Sequence, residues 1–143
     1  MMVEGSSSSV VRVTMRLDGW DRLQRAFMAT PDLTVQAISL ALTKVATRVF
    51  NESQMQVPFR RGTLSTTGFV SPVAMLGNGQ MAITISYGGA SAPYAVKQHE
   101  NLSYRHAPGR KALYLSDPFL EAQPNLERWL LSSIGQSLAS VGW

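Results

Sequence analysis

Cysteine is absent from this chain, which excludes disulfides and thiolate metal sites and leaves the fold to packing and hydrogen bonds alone. Charge is scarce as well: 15% of the residues are Asp, Glu, Lys or Arg, against ~25% in typical globular domains. A surface so poor in charge points either to coverage by a partner or to a solvated shell rich in Ser, Thr and Gln. No apolar run approaches the ~18 residues expected of a membrane span. The opening MMVEGSSSSV has neither the basic nor the apolar region of a signal peptide. The expectation is a soluble protein with no membrane partner, its compartment open and a reducing cytoplasm favoured.

What is present suits one domain: 143 residues, 45% of them hydrophobic, with a net charge of +4. The basic residues are scattered except at Arg60-Arg61, Arg105 and Arg110-Lys111. Such a pattern tolerates nearby nucleic acid without being the stripe of a reader.

Residues 1–9 are polar and Ser-rich and read as a flexible arm, with a single domain over 10–143. VVRVTMRL alternates as a half-buried strand. Asp18 or Gly19 can cap a short helix, WDRLQRAFMA. Thr30 as N-cap, Pro31 at the first helical position and Asp32 in the first turn then open a long helix. Its stripe is Val35, Ile38, Leu42, Val45 and Val49, its polar face Gln36, Ser39, Thr43, Thr47 and Arg48, and Pro58 stops it near Gln56.

PFRRGTLSTTG reads as a loop, followed by strands over about 68–75 and 81–87 with the turn-forming LGNGQ between them. Tyr94 to Glu100 suits a short helix, 101–110 a loop, and ALYL at 112–115 a short strand. Ser116 or Asp117 can cap a last helix beginning at Pro118, with Pro124 bending its first turn or moving its start to Gln123. The fold class is therefore α+β: a small, mostly antiparallel sheet with a long central helix and a C-terminal helix packed on one face.

Both histidines fall within YAVKQHENLSYRH. His99, Glu100 and His106 are metal-ligating types, but a separation of seven is not H-E-x-x-H, whose histidines lie one helical turn apart. A structural role outweighs a metal site. No serine lies in a nucleophile motif, no two carboxylates are paired, and no phosphate loop is present. The expectation is a non-enzyme without cofactor. Arg60 and Arg61 suit either a phosphate backbone or an acid on a neighbouring subunit. Trp143, at the last position, suits an interface anchor as well as a residue folded onto its own core.

The order of these motifs resembles the head-to-tail connector and tail-completion proteins of long-tailed bacteriophages, also termed minor capsid or neck proteins. The likeness rests on Pro58, Gly62 and Leu64 in VPFRRGTL, then Pro93, Tyr94, Ala95, His99 and Glu100, then His106 and Gly109, then ALYL and DPF. One position departs: the lysine of A-K-[FY]-L is Leu113 here, and the nearest cation is Lys111.

The resemblance implies a structural virion component, located in the neck or tail and assembled in the host cytoplasm. Such subunits form a homo-oligomeric ring, commonly a hexamer, between the portal-side head connector and the tail terminator or tail tube, with double-stranded DNA passing non-specifically through the channel. Tyr94, His99, Glu100, Arg105, His106, Arg110 and Lys111, with Arg60, Arg61 and Trp143, become candidates for subunit-interface or channel loops. A tail terminator capping the tail tube and a basic nucleic-acid-binding module are the alternatives.

Overall fold

The computed structural model describes residues 2–3, 10–19, 22, 25, 31–58, 63–77, 79–89, 92–101, 110 and 112–140. The helix expected over 20–29 lies outside them but for Arg22 and Arg25, and so do Arg60, Arg61, Arg105, His106, Lys111 and Trp143. The described elements are β1 (Met2–Val3), β2 (Val10–Asp18), α1 (Pro31–Gln56), α2 (Thr63–Thr66), β3 (Phe69–Val70), β4 (Ala74–Leu76), β5 (Gln80–Gly88), α3 (Ala95–Glu100) and α4 (Ser116–Ser140). The fold is α+β, as the alternation of periods two and 3.6 implied.

All strand pairings are antiparallel. β5 lies at the centre, with β2 on one side and β3 and β4 sharing the other, while β1 pairs with β2 at the far end. Two residues of the expected arm are thus strand: Met2 faces Thr14 and Val3 faces Val13. The unpaired backbone of an edge strand is the physical reason, because it offers hydrogen bonds to any chain that reaches it.

Register puts Val11, Val13 and Met15 opposite Tyr87, Ile85 and Ile83. These six are buried and form the core face. The other face carries Arg12, Thr14 and Arg16, opposite Ser86, Thr84 and Ala82, with the Thr14 and Thr84 hydroxyls 3.0 Å apart.

The strand expected over 68–75 is split in two. Pro72 has no N–H to donate, and the gap is bridged by Ser71, whose N–H donates to the Thr84 carbonyl at 2.8 Å and whose Oγ accepts from Thr84 N–H at 2.9 Å. At the hairpin Leu76 faces Gln80, and Gly79 takes φ +73, the left-handed conformation a turn here needs.

α1 has the expected bounds, but its buried stripe is wider than the one read from branched residues. Ala37, Ala41 and Ala46 are fully buried beside Ile38, Leu42 and Val45, small enough to let neighbouring elements approach the helix closely. By length and composition α1 could cross a membrane, and no other helix among the described residues could. Its apolar stripe instead packs against α4 and β5.

α4 begins at Ser116 and continues past Pro124, so of the two expectations for that proline the start moved to Gln123 is corrected. Pro124 and Leu120, whose carbonyl it leaves without a helical partner, are both exposed, so the break faces solvent, where water can bond the freed oxygen. The Arg48 guanidinium lies 3.6 Å from the Trp129 ring centre and ties the two long helices at their rim.

Candidate functional site

The motif segments converge on one bonded network where the C-terminus of α1 meets α2, α3 and the start of α4. It begins with a row of rings. Phe50 of α1 stacks on Tyr87 of β5 at 5.9 Å, Tyr114 meets Tyr87 edge-on at 5.3 Å, and His99 meets Tyr114 edge-on at 4.9 Å. Edge-to-face placement sets the positive rim of one ring against the negative face of the next.

Each polar tip in the row has a partner. Tyr87 Oη lies 2.6 Å from Ser53 Oγ, and Tyr114 O–H donates to the Ala95 carbonyl at 3.0 Å. Burial pushes the Tyr87 phenol up to about 12, against a smaller lowering by the Ser53 hydrogen bond. Tyr114 is raised too, by burial first and by Tyr87 next. Both hydroxyls stay neutral and serve as braces.

His99 staples α3 to the start of α4. Its carbonyl accepts from Leu113 N–H at 2.7 Å, and its Nε2 accepts from Ser116 N–H at 3.2 Å, with Ser116 Oγ also 3.0 Å away. The imidazole therefore caps α4, taking an N–H that a helix start otherwise leaves unpaired. A backbone N–H can only donate, so Nε2 carries the lone pair and Nδ1–H faces Glu100 Oε1 at 3.1 Å. Burial lowers the His99 pKa, opposed by the hydrogen bond and charge of Glu100. The neutral ring is the form that caps.

The chain bends sharply to bring this about. Leu113 has φ +55, in the left-handed region, the only non-glycine among the described residues to do so. Residues 112–115 are consequently a bend and turn rather than the expected strand. Tyr114 and Leu115 are fully buried, and the Leu113 carbonyl accepts from Asp117 N–H at 2.9 Å.

Arg110 closes the other side. Its Nη1 donates to the carbonyl of Gln54 at 2.6 Å and, more weakly, to that of Val57 at 3.4 Å. α1 has no basic residue in its last turn, so a cation from fifty residues onward supplies the charge its C-terminal carbonyls attract. The Gln54 amide exchanges two bonds with Ser65 of α2, at 3.1 and 2.5 Å. Part of the expected PFRRGTLSTTG loop is thus a helical turn, fixed by this exchange. A Cβ on Gly68 would sit 2.6 Å from Phe50 Cε1 and Gln54 Nε2 and 2.8 Å from Tyr87 Cε1. Any larger residue there must displace one of the three side chains.

Among the candidate interface residues, His99 and Arg110 prove to be bonded inside their own chain, because buried donors and acceptors on two helix ends need them. Tyr94 and Glu100 are exposed. Among the described residues no group of three or more metal-ligating side chains converges, and the His99 lone pair is already committed to Ser116. Ser53, Gln54 and Tyr87 went unread in the sequence as polar partners, and Ser116 was read only as a helix cap. A tyrosine inside an apolar strand was the available signal, since a buried phenol needs a partner. No family model, curated protein or solved structure matches the chain.

Proposed function

We propose that this chain is a non-enzymatic virion protein, a ring-forming head-to-tail connector or tail-completion subunit that joins a phage head to its tail around the DNA channel. The observation that carries the reading is the coherence of the segments behind the resemblance. Leu64, Ala95, Tyr114 and Phe119 come from separate stretches of chain and belong to one buried core, and buried His99 meets that core edge-on at Tyr114. Part of the resemblance therefore lies in the interior of the domain, while Pro93, Tyr94 and Glu100 stand at its surface.

The surface suits the same role. Repeated head-to-tail packing needs two different patches on each subunit, and exposed apolar side chains lie on separate elements: Leu40 and Met55 on α1, Leu120 and Leu131 on α4, Phe69 and Met75 on the sheet. The modest net charge of +4 lets DNA pass without being held. The ring works in the neck or tail of the virion after assembly in the host cytoplasm, between a portal-side connector and the tail terminator or tube. Deleting the chain from its phage should leave filled heads and finished tails unjoined in electron micrographs. Normally joined particles lacking it would overturn the reading.

A further inference from the structure

Resting on the ring reading, we infer that neighbouring copies join by strand addition, the β3–β4 edge of one copy pairing with β1 of the next so that the sheet continues across the interface. The first observation is chemical. From Thr63 to Val96 the chain contains no Asp, Glu, Lys or Arg, and this stretch includes the whole β3–β4 edge. Phe69 and Met75 are 56% and 52% exposed there, and Leu76 is exposed beside them. Edge strands are ordinarily guarded by charge, because their free N–H and C=O groups template further pairing. Pro72 is the one guard here, and it interrupts the edge without closing it.

The second observation is geometric. β1 runs antiparallel to β2, β2 to β5, and β5 to β4, so β1 and β4 lie at opposite ends of the sheet and run in opposite directions. When copies are related by rotation about an axis nearly parallel to the strands, the β1 of one copy meets the β4 of its neighbour antiparallel, and the alternation is unbroken. Were β2 the terminal strand, the same operation would give a parallel contact. The two-residue β1 supplies the direction reversal that makes this head-to-tail continuation antiparallel, and it leaves each copy two different edges, as a closing ring requires.

The test uses two full-length variants. Phe69→Lys/Met75→Lys places charge on one edge at exposed positions, and Val3→Pro takes a strand N–H from the other. Each variant alone should run as a folded monomer in sedimentation velocity, with a melting temperature close to the parent's, while the parent forms a closed oligomer. Mixed together, the two should give a one-to-one dimer and nothing larger, since each supplies the edge the other lacks. A parent ring that persists unchanged in either variant, or a mixture that stays monomeric, overturns the edge pairing and leaves the ring reading standing. A parent that is monomeric both in solution and in assembled particles overturns the ring reading and the pairing with it.

Discussion

The clamp around Tyr114 and the β3–β4 edge are both built mainly from uncharged side chains, and they use them in opposite ways. In the clamp, hydroxyls, an imidazole and a guanidinium satisfy one another and two helix ends, so each buried polar atom adds stability through a named partner. At the edge, Phe69 and Met75 leave about half of their apolar surface in solvent. The lesson is that low charge has two meanings in one protein. Substitution in the clamp should cost stability, whereas substitution at the edge should cost assembly.

The sharpest way to break that comparison is Tyr114→Ala. The ring is fully buried between Tyr87 and His99, and removing a buried aromatic costs about 3–5 kcal/mol. Urea unfolding should show the loss. A cost below that of an exposed substitution such as Phe69→Ala would mean that the clamp does not hold the domain. Next comes Gly68→Ala, where the added methyl must displace Phe50, Gln54 or Tyr87. Overpacking of this kind costs roughly 1–3 kcal/mol. Arg110→Met should follow at about 1–2 kcal/mol, a charge-assisted bond lost from a half-buried site. Arg110→Lys should recover only part of it, because an ammonium lacks the guanidinium fork.

Burial holds His99 below its ordinary pKa, so the unfolded chain binds a proton that the folded chain resists. Its contribution is complete above the unfolded pKa of ~6.5 and is lost as pH falls from there toward the folded pKa. Tyr87 acts in the reverse sense. With its folded pKa raised to about 12, its contribution is complete below the unfolded value of ~10 and declines as pH rises between them. Urea midpoints against pH should therefore fall on both flanks, and His99→Gln should flatten the acid flank alone. An unchanged acid flank in that variant would remove His99 from the clamp.

Much of this was legible in the sequence, and the reasons divide cleanly. Alternation in VVRVTMRL and the Thr30-Pro31-Asp32 start with its following stripe gave β2 and α1 close to their bounds, because both signals are local. His99 was legible as structural from its spacing. Its partner Ser116, the capping of α1 by Arg110 and the fit of Gly68 depend on residues 14 to 56 positions apart, and nothing local announces them. ALYL failed as a strand for the same reason. Four apolar residues read as extended, while the hydrogen bonds from Leu113 N–H and Asp117 N–H bend them into a turn.

Leu113 carries the smallest expected effect and the most specific one. A left-handed φ costs an L-residue roughly 1–2 kcal/mol, and the half-buried side chain returns about 1 kcal/mol through its packing. Leu113→Gly removes the strain and the packing together and adds freedom to the unfolded chain, so its stability should stay within about 0.5 kcal/mol of the parent. Leu113→Ala removes the packing and keeps the strain, and it should be the less stable of the two. Glycine ranking above alanine reverses the usual order at ordinary backbone positions. The opposite order in urea unfolding would mean that the turn between His99 and Ser116 is not held in the left-handed conformation, and that the imidazole caps α4 without strain.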